Sequence, residues 1–123
     1  MGNVHRIGFI SYTQHVAKYA VVVHHGGAGV LAHTLAAGTP AVVVPVDFDQ
    51  FDYATRLCAA GLAVRLRSLD DLAGAVERAL ADTGSAEIRR RYRELIVSES
   101  PEERVSEMVG EYFGIGSRRV RNA

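Results

Sequence analysis

The stretch Val21-Val22-Val23-His24-His25-Gly26-Gly27-Ala28-Gly29-Val30 constrains this chain more than any other. Val21–Val23 is a β-branched run leading into His24 with no polar alternation, which predicts over Val21–His24 a strand covered on both faces, the habit of parallel sheets. Gly26–Gly29 then predicts a tight turn, and Val30–Ala37 a helix stopped by Gly38 with Pro40 beyond it. A buried strand that gives way to a helix through glycines is the opening of a βαβ unit.

The same alternation extends along the chain. Ile7–Ile10 predicts a strand ahead of a short helical segment near Gln14–Tyr19. Ala41–Val44 predicts a strand ending at Pro45, followed by a polar and aromatic loop over Asp47–Phe51 and a helix over Asp52–Ala60 closed by Gly61. Leu62–Leu66 is the next strand. Ser68 and Asp71 form a capping-box variant before a helix to about Ala81, with Leu69, Leu72, Val76 and Leu80 on one face. Two further helices follow: Ala86–Val97, on the spacing of Ile88, Tyr92, Leu95 and Ile96, and one announced by Ser100, Pro101 and Glu103 that ends near Gly114. The fold class is therefore α/β: a parallel sheet of about four strands flanked by helices, with extra helices at the C-terminal end. Residues 1–113 form one domain; 114–123, with Arg118, Arg119 and Arg121, form a flexible basic tail.

Composition narrows the partners. Lys+Arg and Asp+Glu are equal at 14 each among 123 residues, which gives no support for nucleic acid or an anionic membrane surface as the main partner. Ala20–Val23 and Ala41–Val44 are too short to span a bilayer. Cys58 is the only cysteine, so there is no internal disulfide and no cysteine metal site. With no basic segment leading a long apolar run at the N-terminus, a cytoplasmic location is expected.

The glycine turn can do chemistry. A strand ending in Gly26–Gly29 before a helix presents unpaired N–H groups and the positive end of the helix dipole at the strand's carboxyl end. Glycines allow close approach of a phosphate, and His25 adds a side-chain donor. Three glycines after a strand also suit a plain packing turn, and on the glycines alone the two readings weigh about equally. The His24–His25 pair tips the balance, since a turn does not need it. Metal binding by the pair fits poorly: adjacent strand residues face opposite ways, and no third ligand stands at a supporting spacing.

From about Val4 to Ala81 the chain resembles the donor-binding domain of GT-B glycosyltransferases, the UDP-glycosyltransferase-like (family 1 type) group. The resemblance lies in His24-His25-Gly26-Gly27-Ala28-Gly29, Ala36-Ala37-Gly38-Thr39-Pro40, Val42-Val43-Val44-Pro45, Asp49-Gln50-Phe51-Asp52-Tyr53-Ala54 and Ala60-Gly61-Leu62-Ala63, in order. It implies a Rossmann-like domain that binds a nucleotide-sugar. His25 and the amides of Gly27, Ala28 and Gly29 would hold the donor diphosphate, and Asp49 and Gln50 the hydroxyls of the transferred sugar. By itself, Asp49 would more commonly be a helix N-terminal charge. Tyr12 would stand where the family reads the base, with Ser11 in place of a proline; His33 stands where plant relatives carry a ribose-binding Glu. Val30 replaces a Thr or Ser, and Phe51 a common proline. No cofactor or metal is implied.

By the same resemblance, the catalytic base belongs to an acceptor domain absent from this chain, so no catalytic residue is expected here. The early part of the donor domain is also absent, which would leave an apolar sheet edge open. An acceptor domain, a partner chain or a second copy should cover it. The favoured function is donor binding for hexose transfer from a UDP- or dTDP-sugar to an acceptor hydroxyl. The alternatives are a non-catalytic nucleotide-binding or scaffold subunit and, further off, a nucleotide-sugar epimerase.

Overall fold

A computed structural model describes residues 2–114. Its centre is a three-stranded parallel sheet in the order β1-β2-β3, with β1 Val22–His24, β2 Ala41–Val43 and β3 Ala63–Arg65. Val22 lies opposite Ala41 and His24 opposite Val43; Ala41 lies opposite Ala63 and Val43 opposite Arg65. All three strands therefore run the same way, and the loops after β1 and β2 leave one edge of the sheet side by side. Among the described residues there are six α-helices: α1 Tyr12–His15, α2 Ala28–Ala37, α3 Gln50–Ala59, α4 Leu72–Ala81, α5 Ala86–Ser98 and α6 Pro101–Phe113.

Every residue of β2 is buried, which is why its sequence shows no polar alternation. Successive side chains point to opposite faces, so Val42 and Val43 anchor separate cores. Val42 packs with Leu66, Ala75 and Ala79 beneath α4, while Val43 packs with Ala54, Leu57 and Leu62 against α2 and α3. The result is a three-layer helix–sheet–helix sandwich. Helix α5 lies across α2, where a Cβ on Gly38 would approach the Arg93 side chain. Gly38 also ends α2, with a φ of 69°.

Ile7–Ile10 is not a strand. It pairs with nothing among the described residues, and Phe9 is 86% exposed. Gly8 interrupts the run and removes the packing side chain that would fix a register. The sheet thus has three strands rather than about four. The helical segment after it divides into α1 and a 3₁₀ turn over Val16–Lys18, tied down where the Thr39 hydroxyl donates to the Val16 carbonyl at 3.1 Å.

The buried face of α4 also differs from the apolar spacing. Ala75 and Ala79 carry it with Val76, while Leu69 and Leu80 stand out in solvent. Alanines let the helix axis come close to the sheet, so the small side chains rather than the leucines mark the contact. The capping box is not formed as drawn. Ser68 accepts from the Asp70 N–H at the head of a 3₁₀ turn, and Asp71 pairs with Arg78. At α6 the N-cap and the proline are as expected: Ser100 Oγ accepts from the Glu103 N–H at 3.3 Å, Pro101 opens the helix, and Gly114 closes it left-handed; the carboxylate that Ser100 Oγ meets is that of Glu102 rather than Glu103. The tail beyond Gly114 lies outside the described residues.

Candidate functional site

The site forms where β1 and β2 end. After β1 the chain turns through Gly26, whose φ is 90°, and enters α2 with Gly27 as N-cap. That positive φ suits glycine, and a Cβ there would meet Val43 Cγ1 at 3.1 Å, so Gly26 serves the turn itself. Gly27 serves a neighbour: a Cβ would come within 2.6 Å of His25 Nε2, because the exposed His25 ring lies over it.

Gly29 is different. Nothing stands within 4 Å of the place its Cβ would take, and its φ is not in the left-handed range. Neither backbone nor packing requires glycine there, yet its absence of a side chain bares the first turn of α2. Gly27 offers no side-chain cap, and Ala28 and Gly29 are both exposed. The first turn of α2 therefore opens to solvent at the positive end of its dipole. Val30, by contrast, is buried at 7% exposure and belongs to the core.

The loop after β2 meets this turn. Val44 N–H donates to the His24 carbonyl at 2.8 Å, and a Cβ on Gly26 would lie 3.6 Å from the Gln50 carbonyl oxygen. Gln50 is thus a wall of the glycine turn, and it is the first residue of α3 rather than part of a loop. Its Oε1 accepts from the Val46 and Asp47 N–H groups at 2.9 and 3.1 Å, which shapes the loop and leaves the side-chain NH₂ as its remaining hydrogen-bonding group. Asp49 occupies the N-cap of α3, but its side chain makes no capping bond, and it is exposed beside Gln50. Phe48, also exposed, sits at a φ of 44°, in the left-handed region that a bulky residue rarely adopts.

Tyr12 lies on the N-terminal segment, against α2. Its ring centroid lies 5.7 Å from that of His33, and both border an open cavity of about 500 Å³ lined by Ile7–Tyr12. A second cavity of about 440 Å³ reaches from Tyr12 and Tyr19 to His24, His25 and Val30. The fold thus brings His25, the Gly27–Gly29 turn and Gln50 together, places Asp49 beside them along the chain, and joins Tyr12 to His25 through that cavity. Phe51 lies under the Arg65 guanidinium, 5.7 Å from ring centroid to charge, at the same sheet edge.

One residue that the sequence leaves without a role has a defined one. His24 is buried, and its Nδ1 accepts from the Gly26 N–H at 3.0 Å. Burial, with a smaller contribution from neighbouring His25, pushes its pKa below the usual 6.5. Strand alternation is the signal that separates the two histidines, turning His24 inward and His25 outward. Among the described residues, no group of three or more His, Cys, Asp or Glu side chains stands close enough to hold a metal ion, and no helix is long and apolar enough to cross a membrane.

Residues 1–110 match the model of the "Erythromycin biosynthesis protein CIII-like, C-terminal domain" family. The chain is 34% identical over 116 residues to an O-mycaminosyltylonolide 6-deoxyallosyltransferase of Streptomyces fradiae, covering 90% of this chain and 28% of that protein. It is 40% identical over 67 residues to a sterol 3-beta-glucosyltransferase of Vanderwaltozyma polyspora, covering 53% of this chain and 6% of that one. Among solved structures, the glycotransferase of kitacinnamycin superposes with a TM-score of 0.75 at 23% identity, over 89% of this chain and 31% of its own. SnogD, a glycosyltransferase of Streptomyces nogalater, superposes with a TM-score of 0.68 at 27% identity, over 85% and 28%. The chain spans less than a third of the length of each of these proteins. It belongs to the erythromycin biosynthesis protein CIII-like C-terminal domain family, with the fold of the C-terminal domain of GT-B glycosyltransferases.

Proposed function

We propose that this domain binds the nucleotide-sugar donor of a glycosyltransferase, a UDP- or dTDP-linked hexose, at the edge formed by the loops after β1 and β2. The observation that carries the reading is Gly29: a glycine required by neither its φ nor its neighbours, at an uncapped and exposed helix N-terminus. Leaving a helix start bare costs stability, so a glycine there is best accounted for by a ligand that must approach the backbone. The diphosphate would lie against the amides of Ala28 and Gly29 with His25 as side-chain donor. Asp49 and the free NH₂ of Gln50 would take sugar hydroxyls, and Tyr12 would flank the base.

In the whole enzyme, the hexose would pass to an acceptor hydroxyl with inversion. The amides and His25 would stabilise the negative charge that builds on the departing diphosphate, a fixed electrostatic contribution that needs no proton transfer from this domain. Neither a metal nor a cofactor is invoked. The base that activates the acceptor would come from an acceptor domain or partner chain. The same partner, or a second copy, would cover the outer edge of β1, where Val23 is exposed.

Calorimetry with UDP tests the reading. His25→Ala should weaken binding about ten- to hundredfold, the range for a hydrogen bond to a charged group. Equal affinity in the variant, or no UDP or dTDP binding by the parent chain, would refute it.

A further inference from the structure

We infer that His24 is the positioning residue of the glycine turn, holding it in its ligand-ready form only while its imidazole is neutral. The inference rests on the donor-site reading for its functional meaning, but the contact itself is a property of the turn. Gly26 sits at a φ of 90°, and glycine at such a position can rotate its peptide planes at little steric cost. One interaction fixes the plane: the Gly26 N–H donates to His24 Nδ1 at 3.0 Å. Everything that follows hangs from that plane. His25 lies over Gly27, and the Ala28 and Gly29 amides follow within the first turn of α2.

The bond requires a lone pair on Nδ1, so the proton of the neutral ring must be on Nε2. Nε2 is buried without a hydrogen-bond partner among the described residues. An imidazolium carries N–H on both nitrogens. Protonation would therefore set a donor against the Gly26 N–H and bury a charge in the same stroke. Among the described residues, no acidic side chain lines the space around His24. The titratable groups lining the two cavities it borders are His25 from the turn, Tyr12 and Tyr19 from the N-terminal segment, and Arg89 from α5; none is a carboxylate. The sign of the pH effect follows. Because burial holds the folded-state pKa below 6.5, the contribution of this bond is complete above 6.5 and is lost as pH falls through the lowered value.

The test uses the full chain and reads the turn directly. Nitrogen-15 NMR should find His24 as the Nε2–H tautomer at pH 8, with the Gly26 amide protected from exchange. As His24 protonates, Gly26 protection should fall about tenfold while the amides of β2 keep theirs. A Nδ1–H tautomer, or Gly26 protection that does not change down to the pH at which the fold is lost, would overturn the inference. Three variants separate positioning from ligand contact at pH 8. His24→Asn restores an acceptor at the δ position and should keep both Gly26 protection and UDP affinity. His24→Gln and His24→Phe should lose both. Retained affinity in His24→Gln with loss in His24→Asn would place the role at Nε2 and refute the latch. If the parent chain binds no UDP while Gly26 still follows His24, the donor reading fails and the latch stands.

Discussion

At the scale of single residues, the glycines of one turn have separate duties, and substitutions should tell them apart. Gly29→Ala should stabilise the fold by up to about 1 kcal/mol, because alanine is the better helix residue and nothing opposes its Cβ. The same change should weaken UDP binding; a scan of melting temperature beside calorimetry would find the two moving in opposite directions. Asp49→Ala should lower affinity for a UDP-sugar and leave that for UDP unchanged, since in the proposed site its carboxylate meets only the sugar. Phe48→Gly should raise stability by about 0.5–1 kcal/mol in chemical denaturation, because it removes a bulky residue from the left-handed region without emptying a core site. Each of these residues can be found in the sequence. What distinguishes Gly26, Gly27 and Gly29 cannot be, because the φ of one, the ring over another and the open space above the third arise only when the strands have docked.

At the scale of elements, the strand–turn–helix unit was legible because its signals agree: an unbroken apolar run, glycines, then a helix closed by Gly38 at positive φ. Ile7–Ile10 misled because strand propensity describes a willing chain, while a ladder needs a partner. Gln50 misled for a related reason: its own Oε1 folds the preceding loop back, so α3 starts two residues before the expected Asp52. In α4 the hydrophobic spacing pointed to the leucines, whereas distance to the sheet selects the alanines. Ala75→Leu should therefore destabilise by about 1–3 kcal/mol through overpacking, and Leu80→Ser by less than about 1 kcal/mol, measured by urea unfolding.

At the scale of the whole molecule, apolar side chains stand exposed at two places among the described residues. The outer edge of β1 exposes Val23, and α6 exposes Val105, Met108 and Tyr112 along one side. Such surfaces would suit contact with a further domain, chain or copy. Sedimentation of the isolated chain should show association that rises with concentration; a monomer throughout would remove the second copy from the candidates and leave the acceptor domain. Adding that domain in trans should then protect β1 amides from exchange.

The order of strands in space, β1-β2-β3, is also their order along the chain. Each new strand therefore docks beside the one made just before it, and no early strand has to wait open for a late arrival between neighbours. Growth from the ribosome can follow the same course. The glycine turn meets its wall at Gln50 as soon as β2 and the start of α3 are in place. The edge that carries the glycine turn is thus complete before α5 and α6 have been made.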